Sequence, residues 1–160
     1  MYITTSRKPS NSTKILASNI SAFMNSKYEP RGKKSIEEVV DRARELGFGR
    51  VMVVSEQKGN PNKLAFIDAG KDSGWMFPFI IVSAPTEYIA KRIKQARKEA
   101  ELSADKGCER MARLFDISSP QTDDVSRIHI SKSKIEFSYK DARLSLNVKD
   151  LLESRAEEER

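Results

Sequence analysis

The chain has few of the residues that carry enzyme chemistry and covalent cross-links. Its 160 residues include one cysteine, Cys108, and one histidine, His129. A single cysteine excludes an internal disulfide, so we expect a reducing, cytoplasmic setting. No HExxH, P-loop, GxSxG or paired CxxC motif occurs, which excludes the catalytic and metal sites that these motifs mark. We therefore predict no catalytic residue, no metal site and no cofactor, with His129 half-exposed and structural on a strand.

Long hydrophobic runs are also missing. No stretch of 18 apolar residues occurs, and the first ten residues lack the apolar segment of a secretory signal. We therefore expect no membrane partner. Charged residues make up 32% of the chain, which is typical of a protein with much exposed surface.

Acidic residues are almost absent from the first 34 positions. This segment holds seven lysines and arginines against one acid, Glu29, and so accounts for the whole net charge of +6. The stretch from Asp150 onward has the opposite bias. A basic concentration of this kind indicates a polyanionic partner, of which nucleic acid is the common one. A solvated basic face without a partner is the alternative.

Periodicity predicts strands and helices in alternation. The first part is predicted to contain a strand at 2–5, a helix from about residue 11, a second helix that opens with the capping box at 35–38, and a hairpin of strands between 50 and 68. The second part is predicted to contain a strand at 79–83, a helix at 86–101, a broken helical segment at 102–116, three strands between 127 and 148, and an acidic helix at 150–160.

Two short matches suggest an internal repeat. Residues 3–6 resemble residues 80–83, and residues 50–54 resemble residues 127–131, both at an offset of 77 positions. The shared order of elements favours duplication of a strand–helix–helix–strand–strand unit. We therefore predict an α/β protein with two similar halves, about 1–74 and 75–150, packed into one body.

Three segments carry a resemblance to a known family. They are ITTSRKPS (residues 3–10), VMVVSEQKGNP (51–61) and MFPFIIVSAP (76–85). In this order they resemble the Brix domain family of ribosome biogenesis proteins, in its compact archaeal form. A departure is AGKDSGW (69–75), where eukaryotic members carry a PFGPTA-like stretch. The resemblance implies a single Brix domain over 1–160 whose halves each resemble the anticodon-binding domain of class IIa aminoacyl-tRNA synthetases.

The resemblance also implies a function. The chain would be a ribosome biogenesis factor that binds ribosomal RNA and assists pre-rRNA processing and subunit assembly without catalysis. Ribosomal proteins or other assembly factors would be further partners, and no small-molecule substrate is implied. Two alternatives stay open: a protein–protein adaptor that uses Trp75 and the acidic end of the chain, and a binder of transfer RNA.

The candidate RNA-binding residues lie in and around three turns. The loop at residues 6–10 joins a strand to the N-terminus of a helix, where free N–H groups and the helix dipole attract phosphate. A second basic loop precedes the next helix, and the two loops would form one cluster if both helices packed on the same side of the sheet. The tip of the predicted hairpin is the third segment. The predicted residues are Ser6, Arg7, Lys8, Ser10, Lys14, Arg31, Lys33, Lys34, Lys58 and Asn60. Helix capping, a solvated connector and ordinary turn chemistry are the respective alternatives.

Overall fold

The computed structural model describes residues 1–71, 74–89, 91–94 and 99–154. Within these ranges the helices are α1 (Asn11–Ala22), α2 (Ile36–Glu45), α3 (Thr86–Ile89) and α4 (Glu109–Leu114). The strands are β1 (Tyr2–Thr5), β2 (Lys27–Tyr28), β3 (Arg50–Gln57), β4 (Asn60–Asp68), β5 (Gly74–Ser83), β6 (Ala100–Ala104), β7 (Ser126–Ile130), β8 (Lys134–Tyr139) and β9 (Ala142–Leu152).

All the described strands join one mixed sheet in the order β2-β1-β3-β4-β5-β9-β8-β7-β6. β1 pairs in parallel with β2 and with β3, and β6 pairs in parallel with β7. The remaining neighbours are antiparallel, including the central pair β5 and β9. The predicted α/β class is therefore confirmed, with a continuous mixed sheet as its centre.

The two longest helices cover opposite faces of the sheet. Side chains alternate along a strand, so the neighbours Tyr2 and Ile3 point to different faces. Ile3 belongs to the large core that contains Leu16 and Ile20 of α1, whereas Tyr2 packs with Val39 of α2. The large core also takes in α4 and the inner side chains of β7, β8 and β9, so one hydrophobic core spans the sheet from β1 to β7.

The predicted helix at 86–101 is wrong in most of its described part. Only Thr86–Ile89 is helical, and Ala100–Ala104 forms β6; residues 90 and 95–98 lie outside the described residues. Alanine, glutamate and leucine favour a helix, but pairing along β7 overrides that preference. The broken segment predicted at 102–116 resolves into the end of β6 and the helix α4.

The acidic helix predicted at 150–160 is also wrong where it can be compared. β9 continues to Leu152 because it pairs with β5 over Phe79–Ser83, and this pairing extends the strand past the last residue that β8 contacts. Residues 155–160 lie outside the described residues. Glu153 instead forms an ion pair with Arg110 at the start of α4.

One of the two repeat matches disagrees with the topology. Residues 50–54 and 127–131 both lie on or next to a strand that has a parallel neighbour on one side and a hairpin partner on the other. Residues 3–6 begin in β1, which has two parallel neighbours, whereas residues 80–83 belong to the antiparallel β5. The second parallel pair of the sheet outside β2, β1 and β3 is formed by β7 and β6, and periodicity assigned the residues of β6 to a helix.

Candidate nucleic-acid interface

Three basic turns follow the carboxyl ends of three adjacent parallel strands. Residues 6–10 follow β1, residues 29–35 follow β2, and residues 58–59 follow β3. The carboxyl ends of neighbouring parallel strands lie at one edge of a sheet, which is where α/β folds commonly place ligands. We call the side chains of these three turns, together with Asn60, the basic loop surface.

Direct hydrogen bonds hold the three turns together. The Ser10 hydroxyl donates to the carbonyl oxygen of Gly59 at 2.7 Å, which ties the first turn to the hairpin tip. The Arg7 Nε atom donates to the carbonyl oxygen of Lys34 at 3.4 Å, which ties it to the second basic turn. Segments that are up to about fifty positions apart in the sequence thus form one surface.

Most of the predicted cations on this surface are available to a ligand. Arg7, Lys8, Lys33 and Lys58 are exposed, as is Asn60, and Lys34 is half-buried. Lys8 and Lys58 have φ angles of 52° and 51°, so each lies at a tight bend of its turn. Their side chains are mobile point charges, which suits contact with phosphates in varied positions.

The single acid of the first 34 residues does not neutralise this surface. Glu29 pairs with Arg42 of α2 through two bonds, at 2.9 and 3.1 Å, and accepts a third from the Tyr2 hydroxyl at 2.9 Å. The hydrogen bonds from Arg42, aided by the Tyr2 hydroxyl, lower the pKa of Glu29 to about 2 against the cost of burial. The loop cations are therefore left without this partner.

A carboxylate of the protein itself already lies at the N-terminus of α1, where the sequence predicted that a phosphate would bind. Ser10 is the N-cap, and its amide donates to Glu56 Oε2 at 2.8 Å. The Thr13 hydroxyl donates to the same oxygen, and the Thr13 amide donates to the Ser10 hydroxyl. Burial raises the pKa of Glu56, but these hydrogen bonds outweigh it and hold the pKa below its usual range. Ser10 therefore serves the fold, and a phosphate at this end would meet a negative charge.

The N-terminus of α2 is likewise satisfied by its own side chains. Ser35 and Glu38 form the predicted capping box, in which each side chain accepts from the backbone of the other residue. In each long helix the cap side chain thus accepts from one first-turn amide, that of Thr13 in α1 and that of Glu38 in α2. A ligand of the basic loop surface would therefore be contacted mainly by side chains.

Arg31 differs from the other predicted cations because it is buried and bonded to the backbone. Its residue exposure is only 5%. The guanidinium Nε donates to the Lys34 carbonyl at 2.7 Å, and Nη1 donates to the Thr5 carbonyl at 2.9 Å. Burial, followed by the nearby charge of Arg7, lowers the pKa of Arg31. These bonds hold the loop after β2 against the end of β1. The sequence analysis placed Arg31 in a basic loop and did not predict this structural role.

The turns converge for a different reason from the one predicted. The cations were expected to join if α1 and α2 packed on the same side of the sheet, but the two helices pack on opposite sides. The parallel pairing of β2, β1 and β3 brings the turns together instead. Lys14, by contrast, is half-buried within α1 and lies one turn behind the surface.

Sequence reasoning missed a groove beside the basic loop surface. It has a volume of about 420 Å³. Its lining residues are Ser6, Arg7, Arg31, Ser35, Ile36, Val53, Ser55 and Trp75. The sequence does indicate the orientation of Ser55. Side chains alternate along a strand, so Ser55 points to the same face as Val51 and Val53, which is the face that α2 covers.

A polar chain of three side chains lies on the other half of the sheet. The Ser103 hydroxyl is 2.7 Å from His129 Nδ1, and His129 Nε2 is 2.9 Å from Asp105 Oδ1. Ser103 and Asp105 are two positions apart on and just after β6, opposite His129 on the parallel strand β7. His129 is half-exposed, as predicted. Among the described residues no group of three or more histidine, cysteine, aspartate or glutamate side chains could hold a metal ion.

None of the helices in the described ranges has the length and apolar character needed to cross a lipid bilayer.

Comparison with known proteins gives matches in both sequence and structure. No family model matches the chain. Curated relatives include a probable Brix domain-containing ribosomal biogenesis protein of Methanothermobacter thermautotrophicus, 42% identical over 77 residues, which are 48% of this chain and 47% of that protein. The corresponding protein of Pyrococcus abyssi is 38% identical over 73 residues, 45% of this chain and 33% of its own length. The matched region thus spans half or less of these relatives.

Two crystal structures match over nearly the whole chain. A probable ribosomal biogenesis protein from Aeropyrum pernix K1 has a TM-score of 0.71 at 22% identity, with 96% of this chain and 98% of that chain covered. Mil, an archaeal Imp4-like protein, has a TM-score of 0.69 at 26% identity, with 96% and 100% covered. The predicted resemblance is thereby confirmed: the chain is similar in sequence to archaeal Brix domain-containing ribosomal biogenesis proteins over about half of its length, and in fold to an archaeal Imp4-like protein over nearly all of it.

Proposed function

We propose that this protein is a cytoplasmic ribosome biogenesis factor that binds ribosomal RNA through the basic loop surface and assists pre-rRNA processing and subunit assembly without catalysis. One observation carries the proposal: three basic turns converge at the carboxyl ends of β2, β1 and β3, while Glu29 is bound to Arg42. Similarity to ribosomal biogenesis proteins of archaea supports the ribosomal setting. Ribosomal proteins or other assembly factors are further partners in this proposal.

The surface suits the sugar–phosphate strand better than base edges. Its exposed cations have long side chains that can donate hydrogen bonds to phosphate oxygens. They are Arg7, Lys8, Lys33 and Lys58. Contacts of this kind depend on salt and vary little with sequence. Recognition of a particular site would then come from RNA shape and from positions where the strand is unpaired.

The polar chain on β6 and β7 fits a non-catalytic protein. It joins a serine, a histidine and an aspartate, the residue types of a hydrolytic triad. The side chains of His129 and Asp105 are 42% and 58% exposed, however, whereas the aspartate that orients the histidine of a hydrolytic triad is buried. We expect Ser103 to remain unlabelled by a fluorophosphonate probe, and stoichiometric labelling would contradict a role without catalysis.

We also propose that the strand groups β1-β3-β4-β5 and β6-β7-β8-β9 are two copies of one unit that resembles the anticodon-binding domain of class IIa synthetases. Each group starts with a parallel pair and continues with two antiparallel neighbours. α1 follows β1, α4 follows β6, and both helices pack into the same core. Superposition of one group on the other should align all four strands in order, and failure to align β1 with β6 would contradict duplication.

Binding of fragments of ribosomal RNA at several salt concentrations tests the main proposal. We expect tight binding at low salt that weakens steeply as salt is added, because released counterions drive the association. Nuclease treatment before a pull-down of partner proteins separates this function from that of an adaptor, since only RNA-bridged partners would be lost. Partners that persist, together with no measurable RNA binding, would replace our proposal with the adaptor.

A further inference from the structure

The groove beside the basic loop surface combines paired cations with an aromatic ring. It runs from Ser6 and Arg7 past the start of α2 to Trp75 at the start of β5. Three serine hydroxyls line it, from Ser6, Ser35 and Ser55. No acidic side chain lines this groove within the described ranges.

Two guanidinium groups meet at one point of the groove. Arg7 Nε and Arg31 Nε both donate to the Lys34 carbonyl oxygen, at 3.4 and 2.7 Å. Two positive charges that share an acceptor repel each other, and an anion close to both offsets that repulsion. Arg31 is fixed by its bonds to backbone, whereas Arg7 is exposed and has one long contact. The pair thus offers a fixed and a mobile donor to one anionic group, in the fork geometry that matches phosphate oxygens.

Trp75 forms the other part of the lining. It is half-buried, packs beside Ile36, and its ring makes an edge contact with Phe79 at a centroid distance of 5.6 Å and an interplanar angle of 72°. These contacts hold the indole in place, so little conformational entropy is lost when a planar ligand stacks on it. A stacked base on an aromatic side chain contributes about 1–3 kcal/mol in single-strand binding.

We propose that this groove binds one nucleotide unit of single-stranded RNA, with its phosphate held by Arg7, Arg31 and the serine hydroxyls and its base against Trp75. The inference rests on the proposed function and names the form of RNA that this surface takes. A volume of about 420 Å³ is in the range of small-ligand sites. A base inside a duplex cannot reach the indole, so the groove selects loops, bulges and ends.

The chain offers its own reporter, because Trp75 is its one tryptophan. We would titrate the protein with an oligouridylate of about six nucleotides and, separately, with a blunt RNA duplex, while recording tryptophan fluorescence. The single strand should quench the fluorescence in a saturable way, and the duplex should not. Arg7→Gln should weaken oligouridylate binding several-fold, whereas Lys132→Gln, a matched neutralisation on the turn between β7 and β8, should leave it unchanged.

The indole itself is tested by substitution. Trp75→Ala should reduce oligouridylate affinity about tenfold by fluorescence anisotropy of a labelled strand, and Trp75→Phe should retain part of it because a smaller ring still stacks. The Phe variant keeps the test valid if the Ala variant fails to fold. Unchanged fluorescence of the native chain at saturating oligouridylate is the outcome that overturns the inference.

Failure of the groove and failure of the proposed function give different results. Salt-dependent binding of ribosomal RNA fragments without any change in Trp75 fluorescence would overturn the groove and leave the basic loop surface intact. Loss of both signals in the native protein would overturn both proposals. Recovery of the quenched fluorescence when inorganic phosphate displaces the oligonucleotide would support the role of the arginines, and quenching by uridine monophosphate would support that of the ring.

Discussion

The amide of Ser10 donates to Glu56 Oε2 at 2.8 Å, so a carboxylate of β3 lies at the N-terminus of α1. This contact changes how the opening of the chain is understood. The positive end of the helix dipole and the Ser10 amide, which would attract a phosphate, already stabilise the carboxylate of Glu56. In the proposed function, Arg7 and Lys8 of the adjacent turn therefore contact RNA through their exposed side chains.

Replacement of Glu56 by glutamine separates folding from binding at this point. We expect the free energy of unfolding to fall by about 1–3 kcal/mol, because charge-assisted bonds from Ser10 and Thr13 become neutral ones. RNA affinity should rise, since a negative charge leaves the edge of the basic loop surface. Denaturant unfolding and RNA titration of the same variant measure both effects. A Glu56→Gln protein that binds RNA more weakly at a temperature where it is folded would contradict this account.

The Glu29–Arg42 pair predicts how stability depends on pH. The pKa of Glu29 falls from its ordinary 4.5 to about 2 in the folded protein, so its contribution to stability is present above pH 4.5. That contribution is lost as the pH falls from 4.5 towards 2, because the unfolded chain takes up the proton first. Glu29→Gln should be less stable than the native chain at neutral pH by about 2 kcal/mol.

Unfolding of Glu29→Gln and of the native protein, measured at several pH values, supplies the control. The difference between Glu29→Gln and the native protein should shrink steadily as the pH is lowered through this window. A difference that stays constant from neutral pH to pH 2.5 would show that the carboxylate charge of Glu29 contributes nothing to stability.

Arg31 and Arg7 should respond differently to the same substitution. Arg31→Gln removes two bonds from a buried guanidinium to the carbonyls of Lys34 and Thr5, so we expect a loss of about 2–4 kcal/mol in the free energy of unfolding. Arg7→Gln, at an exposed position, should change stability by less than about 0.5 kcal/mol. Thermal or denaturant unfolding of the two variants measures this contrast. Equal stability of both would refute the structural role of Arg31.

The sequence predicted the elements around the basic surface because their signals are local. β1, the capped helix α2 and the hairpin of β3 and β4 each follow from periodicity, capping residues or turn residues within a few positions. The order strand–helix–helix–strand also implies that β1 and β3 can be parallel neighbours. β2, only two residues long, is too short to give a periodic signal, and its pairing with β1 is what positions the loop of Arg31.

The predictions that differ from the structure concern segments whose conformation or contacts depend on residues far away in the sequence. Ala100–Ala104 is a strand because β7 offers it a parallel edge, and no neighbour in the sequence reveals that edge. The contact between Ser10 and Glu56 joins positions 46 residues apart, so a helix N-terminus that looks open in the sequence is closed in the fold. The sequence indicated Trp75 as a contact of a protein partner, and its place in a groove with Arg7 depends on the packing of α2.

The most direct test of the central claim is the salt dependence of ribosomal RNA binding by two matched variants. One replaces the four exposed cations Arg7, Lys8, Lys33 and Lys58 with glutamine. The control replaces four exposed lysines in the half of the sheet formed by β6–β9, Lys106, Lys132, Lys134 and Lys140, so both variants lose the same charge. We predict that the first variant binds much more weakly, with a slope of log affinity against log salt that is smaller by roughly 0.7–0.9 for each lost phosphate contact, and that the control stays close to the native slope. Equal slopes and affinities for the two variants would contradict the claim that the basic loop surface is where this protein holds RNA.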